Sequence, residues 1–289
     1  MVLIEAPRKF LAWLAGGLSW RARGLFERGR RAILPVEVWV RHRIGLQHSE
    51  AKLIGESTAY WNDLSDQYFK QNSHWRGGGI FADDTRWLAL GRDHLRLYEE
   101  FARLVPPKQP LQRIVEWGCG GGMNAIHFGR ITHAYCGIDI APASLEECGR
   151  QMTLAGLHNF TPVLIEASDP EAALTRVPGP SDLFISTYVF ELLPTPEYGI
   201  RVLRIARELL APGGMAIVQI KYRDNWRTAS RTWNYAKNIA WHATYRIEEF
   251  WIRAEQCGFI PKMLTMVPQQ PLINDRNYAY FLLLKQSTP

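Results

Sequence analysis

The chain has little cysteine, no long apolar run and, past its first fifty residues, almost no net charge. Four cysteines occur in 289 residues, Cys119, Cys136, Cys148 and Cys257. They form no CxxC pair and lie at no metal-ligand spacing from a histidine. That excludes a disulfide framework and structural zinc and points to a reduced, cytoplasmic chain. No segment reaches the roughly 18 to 20 apolar residues of a membrane-spanning helix. Phe10 to Trp20, after Arg8-Lys9, has the length of a secretory leader core, but no small-x-small cleavage site follows it. No internal repeat or low-complexity tract is visible, so the pattern is not that of a solenoid.

Basic residues exceed acids by 34 to 28. Residues 1–50 account for nine basic side chains against four acids, which is +5 of the total +6. A broad nucleic-acid-binding face is therefore disfavoured for the body of the chain. The basic, Trp-containing segment suits an interfacial helix instead. Over residues 8–31, Phe10, Leu11, Trp13, Leu14, Leu18, Trp20, Leu25 and Phe26 alternate with arginines, a pattern for peripheral contact with the inner face of an anionic membrane. A docking arm or dimer contact uses the same residues, and Gly16-Gly17 weakens a continuous helix.

The chain divides into residues 1–50, a basic amphipathic extension, 51–105, a helical lid or cap region, and 106–289, a strand-helix body. The boundary is Val105-Pro106-Pro107-Lys108-Gln109-Pro110, whose prolines end the helical pattern of Trp87 to Leu104. Beyond it, short apolar runs bounded by turns predict strands buried on both faces at Arg113–Trp117, Ala134–Ile140, Thr161–Glu166, Asp182–Thr187 and Met215–Lys221. Helical patterns separate them, so the fold class is α/β: a Rossmann-like parallel sheet with helices on both faces and a helical N-terminal extension. A polar-aromatic insertion at 221–246 follows. A helix over Ile247–Gln256 and two strand-like runs, near Lys262–Val267 and Tyr278–Lys285, close the chain.

The chemistry concentrates at Glu116-Trp117-Gly118-Cys119-Gly120-Gly121-Gly122, a strand running into a four-glycine turn and a helix. Glycines allow positive φ and close approach of a ligand, and free amides at the helix start are expected to face it. A dinucleotide fingerprint, G-x-G-x-x-G, fails here: from Gly118 the pattern reaches Gly120 and then Met123. What fits is E-x-G-x-G-x-G. A carboxylate in front of the turn repels a pyrophosphate and attracts a cationic amine or sulfonium. At the next strand tip, Asp139 can accept two hydrogen bonds from ribose hydroxyls.

With Val115 to Gly122, Gly137 to Ile140, Asp182 to Pro194 and Leu209 to Gly214 in this order, residues 105–285 resemble the class I, Rossmann-like S-adenosylmethionine-dependent methyltransferases. The resemblance implies an antiparallel C-terminal edge strand and S-adenosyl-L-methionine as cofactor. It places Glu116, Gly118, Cys119 and Gly120 along the methionine part, with Gly122 in the same turn. Asp139 falls on the ribose, Ile140 on the adenine, and Thr187 and Tyr188 near the transferable methyl. After the third strand Glu166, Ser168 and Asp169 all stay open as readers of the adenine amine, Ser168 being the one carried into the cofactor set.

Acceptor classes narrow by elimination. Ser186-Thr187-Tyr188-Val189 replaces the Asn/Asp-Pro-Pro-Tyr signature of amino methylases, no Pro-Cys nucleophile stands there, and no Asp-rich metal site is evident, so a metal-free reaction is expected. In the 221–246 insertion, Lys221, Arg223, Arg227, Arg231, Lys237 and Arg246 interleave with aromatics. That mix could cover an acidic or sugar-bearing molecule, or it is a cap whose aromatics are core and whose arginines are solvated. The expected acceptor is a small molecule, a lipid precursor or a glycan. An RNA acceptor and a non-catalytic cofactor-binding protein are the alternatives. Tyr188, His242, Tyr245 and His74 are the candidate bases, and Glu191 reads as a capping or packing residue.

Overall fold

The computed structural model describes residues 36–41, 43–107 and 110–286. The N-terminal segment 8–31, assigned above to a membrane surface, lies outside the described residues. The chain separates into two units, residues 1–47 with 225–227 and residues 48–224 with 228–289. In the first, residues 36–41 are helical and Arg41 Nε donates to Glu37 Oε1 at 3.0 Å, one turn away.

The larger unit opens with helix α1 (Glu50–Trp61), capped by Ser49, whose side chain accepts from Lys52 N–H. A single turn, α2 (Phe69–Asn72), and the long α3 (Asp84–Leu104) follow. Asp83 caps α3 by accepting from Thr85 N–H, and one apolar face carrying Trp87, Leu90, Tyr98 and Phe101 is buried. The helix stops ahead of Pro106-Pro107, as prolines require.

The body is a seven-stranded sheet in the order β3-β2-β1-β4-β5-β7-β6. The strands are β1 (Arg113–Trp117), β2 (Ala134–Asp139), β3 (Phe160–Leu164), β4 (Ser181–Ser186), β5 (Leu210–Lys221), β6 (Phe259–Gln270) and β7 (Asp275–Lys285). The first five pair in parallel, and β7 inserts antiparallel between β5 and β6. Crossover helices include α4 (Ala125–Phe128), α5 (Pro142–Leu154), α6 (Ala173–Arg176) and α7 (Pro196–Leu209). Both long crossovers begin on proline, whose fixed φ suits the first helical position. After a turn α8 (Tyr235–Asn238), helix α9 (Ile247–Gln256) covers the antiparallel end.

Two hydrophobic layers sandwich the sheet. One gathers Trp117, Phe184, Phe190, Val218 and Phe250, and the other Trp87, Phe128, Tyr135, Met152 and Ile217. Alternate residues of β1 and β5 feed opposite layers, which is why these strands read as continuous apolar runs. Strand order reverses between β1 and β4, so the crevice outside their carboxyl ends is where an open α/β sheet takes a ligand. No helix among the described residues is long and apolar enough to cross a membrane.

Candidate active site

A cleft with about 880 Å³ of non-atom space, part of it open to solvent, occupies that crevice. Its floor is the turn after β1 and the tips of β2 and β4. Its roof is built from α1, the segment after α2 and Tyr235.

The turn is cradled from above. Gly118 has φ +73° and Gly120 has φ +48°. A Cβ at Gly118 would meet Val189 Cγ2 at 2.5 Å, and one at Gly120 would meet Ser73 O at the same distance. The free amides expected from the sequence are not free. Gly118 and Cys119 N–H donate to Ile138 O, Gly121 N–H to Ser73 O and Gly122 N–H to Cys119 O. Gly120 N–H donates to Asp139 Oδ2 at 3.0 Å. A turn with these five amides committed offers no nest for a pyrophosphate. Roof and turn are instead stitched together through Ser73. Its own Oγ is buried, without a partner, and on the cleft wall.

Asp139 accepts from Gly120 N–H and from Ala141 N–H at 2.9 Å, yet stays half-buried and on the cleft wall. A carboxylate so held keeps lone pairs for a diol. Ile140, Ile165, Ala167 and Leu193 supply the apolar part of the wall.

Glu116 is 2% exposed and held from the protein side through one bond to each oxygen, which leaves a lone pair on each for a ligand. Tyr135 OH donates to Oε2 at 2.6 Å, and Asn124 Nδ2 donates to Oε1 at 2.6 Å. Burial outweighs these hydrogen bonds and pushes its carboxyl up to about 8. Asn124 is the hub that sequence reasoning missed. Its Nδ2 also reaches Thr187 Oγ1 at 2.9 Å, and its Oδ1 pairs with His94 Nδ1 at 2.7 Å. From sequence it reads as a cap for α4, but its side chain makes no capping bond and turns inward. The chain continues through His94 Nε2 to Tyr280 OH and from Tyr280 OH to Tyr188 OH, each 3.2 Å.

Tyr188 follows β4 with φ +57°, a left-handed conformation that a bulky residue adopts at a cost of order 1–3 kcal/mol. It is over-determined by its surroundings. Its N–H donates to Gln219 Oε1, and its ring meets His74 and Tyr278, each at 5.1 Å. His74 lies on the cleft between Tyr188 and Phe81, and burial beside His94 pushes its imidazole down to about 3.

Thus Glu116, Gly118, Cys119, Gly120, Asp139, Ile140, Thr187, Tyr188 and His74 all reach one cleft. Gly122 turns toward Cys148, and Ser168 is exposed with its Oγ on Glu166, so neither is on the wall; Ala167 is. His242 and Tyr245 are also off the wall. His242 is 0% exposed, stacked 4.4 Å from Tyr235, with its Nε2 on Tyr235 O. Tyr245 is core, its hydroxyl donating to Pro196 O at 3.2 Å. Both sit where the insertion folds back on itself, a placement that residue type alone does not reveal.

Four of the six cations of the insertion have partners of their own. Arg223 pairs with Glu249, Arg246 with Glu248, Arg231 lies over Trp241, and Lys221 pairs with Asp275. From this insertion only Tyr235 joins the cleft. Ile239 and Ala240 join a second cavity beside it, also lined by Glu191 and Asp275, that shares Asn72, His74, Tyr188 and Leu192 with the first.

A family model described as "Methyltransferase domain" matches residues 90–259, more than half of the chain. No curated protein matches it in sequence. Among solved structures, the chain is similar to an S-adenosylmethionine-dependent methyltransferase of Methanosarcina mazei, at 12% identity and TM-score 0.51, covering 64% of this chain and 97% of that one. It is also similar to a Galdieria sulphuraria protein provisionally designated a sarcosine dimethylglycine methyltransferase, at 15% identity and TM-score 0.52, covering 68% and 86%. The Bradyrhizobium japonicum N-methyltransferase NodS, solved with S-adenosyl-L-homocysteine, aligns at 14% identity and TM-score 0.48, covering 66% and 86%. The glycine cradle, the half-buried Asp139 and the partnerless Ser73 hydroxyl fit S-adenosyl-L-methionine. The chain belongs to the methyltransferase domain family, as a class I S-adenosylmethionine-dependent methyltransferase.

Proposed function

We propose that the chain methylates an oxygen or nitrogen of a small-molecule acceptor without a metal. The supporting observation is the second cavity, which meets the cofactor cleft at Asn72, His74, Tyr188 and Leu192. No lysine or arginine lines it, so it has no electrostatic track for an RNA backbone.

In this reading Glu116, Gly118, Cys119 and Gly120 hold the methionine part of S-adenosyl-L-methionine, Asp139 the ribose and Ile140 the adenine. Ser73 and Ala167 replace Ser168 and Gly122 in the wall. Residues 51–105 and the 221–246 insertion act as the cap on the 106–289 domain. The bound cofactor supplies a methyl group already activated by its sulfonium. The protein's part is to align and dry the partners, worth several kcal/mol when the geometry is near attack. Tyr188, pinned in its strained conformation, closes the floor between the cavities. His74, neutral at physiological pH, is the ring base nearest to that junction.

The test is release of S-adenosyl-L-homocysteine on incubation with a small-molecule metabolite extract, followed by mass spectrometry of the methylated product. Release with RNA but with no small molecule would overturn this reading. Cofactor binding without release from either would favour a non-catalytic role.

A further inference from the structure

Glu191 sits on the single 3-10 turn after β4, lines the second cavity and is 2% exposed. Its Oε2 makes no hydrogen bond. Gln219 is the carboxyl's side-chain hydrogen-bonding neighbour and favours the ionised form, but its Nε2 falls short of a well-formed bond, so neither Nε2 nor Oε2 is fully satisfied. A buried carboxylate oxygen left this way has lost its water without gaining a full replacement, so its retention asks for a ligand.

The rest of the wall says which ligand. Asp275 is a second carboxylate on it, and Lys221 Nζ neutralises Asp275 at 2.6 Å. That lysine stands behind the wall, 0% exposed, against the faces of Trp241 and Tyr278. The remaining ring base of the cavity, His74, carries no charge near neutral pH. With Glu191 ionised the wall therefore holds one uncompensated negative charge. An anionic acceptor is repelled, whereas an ammonium is attracted and gains the faces of Tyr188 and Tyr278.

We propose that this cavity seats an acceptor bearing a protonated amine, with Glu191 as the residue that anchors it and takes its proton. The inference rests on the cavity being the acceptor site and deepens that reading from a small molecule to an amine. In the step implied, the Glu191 carboxylate accepts one proton from the acceptor ammonium, leaving a lone pair on nitrogen. The nitrogen–carbon bond to the methyl forms as the carbon–sulfur bond breaks, with its electron pair staying on sulfur as a neutral thioether. The methylated product departs as an ammonium ion, and the proton on Glu191 returns to water.

The groups facing Glu191 are Tyr188 after β4, Lys221 on β5, Asp275, Tyr278 and Tyr280 on β7, and Tyr235 and Tyr245 of the insertion. Burial keeps all five tyrosines neutral, so only Lys221 and Asp275 add charge. Burial raises the Glu191 carboxyl and Lys221 draws it back, leaving it at about 7, where either state is accessible to a proton acceptor.

The full chain, labelled with carboxyl-13C glutamate, is titrated by NMR with benzylamine and with benzyl alcohol as probes. The Glu191 signal is identified by its loss in Glu191→Gln. Benzylamine should move that titration to lower pH and saturate, and benzyl alcohol should not. Glu191→Gln should lower benzylamine affinity at least tenfold while S-adenosyl-L-methionine affinity stays within twofold, which also reports that the variant is folded. Should it fail to fold, Glu191→Asp, with charge kept but withdrawn, should bind benzylamine several-fold more weakly. Equal response to amine and alcohol, no response to amine, or unchanged amine affinity in the variants would overturn the inference. Release of S-adenosyl-L-homocysteine with hydroxyl acceptors but never with amines sinks it too, while leaving small-molecule methylation intact.

Discussion

The cofactor cleft and the cavity beside it share four residues but treat polar atoms in opposite ways. In the cleft the turn amides and the carboxylates of Glu116 and Asp139 are already bonded within the protein. In the cavity Glu191 keeps an oxygen without a partner. A site for one invariant ligand can be pre-organised from within, and its geometry then hardly depends on occupancy. A site left electrostatically open takes its final partner from the acceptor.

The sharpest way to break this contrast is Asp139→Ala. It removes the acceptor of two backbone bonds, each worth about 1.5–3 kcal/mol when charged, so S-adenosyl-L-methionine affinity should fall about 100-fold or more by calorimetry. A change under threefold would mean that the turn is not held from Asp139. Next in size is Gly120→Ala. Its Cβ would lie 2.5 Å from Ser73 O at a φ of +48°, so the roof must lift. Expected are a cofactor affinity roughly tenfold lower and a stability loss of about 1–3 kcal/mol; an unchanged melting temperature would contradict the cradle.

A third effect is pH-linked. Glu116 in the folded chain keeps its proton to about 8, against the usual 4.5, because burial disfavours the carboxylate. The folded state then binds more protons than the unfolded one between those values, so stability of the cofactor-free protein falls as pH rises from about 4.5 to about 8. Cofactor affinity runs the other way, rising across the same window, because the cationic ligand favours the ionised carboxyl. Melting curves from pH 5 to 9, with and without cofactor, should diverge, and Glu116→Gln should flatten both trends; parallel curves would discard the linkage. The smallest change is expected for Tyr245→Phe, which loses the bond to Pro196 O. About 0.5–1.5 kcal/mol of stability should go, with turnover unaltered. A large drop in turnover would return Tyr245 to the reaction.

How much of this the sequence discloses follows the same division. Strand β1 and helix α9 match their patterns to the residue, because buried apolar runs and a Gly258 stop are local signals. That Glu116, Gly118, Gly120 and Asp139 meet at one cleft was legible for the same reason: all lie in two strand-tip motifs of adjacent strands. Asn124 was not. A polar residue at a helix start is ordinarily a cap, and only the packing of α3 against the turn brings His94 round to meet it. The direction of the arginines of the insertion was equally hidden, since solvated and pocket-facing cations look alike in a one-dimensional pattern.

The sequence by itself determined the α/β body, the cofactor motif and the exclusion of a dinucleotide, since each depends on periodicity or spacing within a few residues. Tertiary structure alone decided that Ser73 closes the glycine turn, that His242 and Tyr245 belong to the core, and that Glu191 faces a cavity with Asp275. Those outcomes join segments 48 to 84 residues apart, and their placement is set by how the helices and the antiparallel strands pack, which no local pattern encodes.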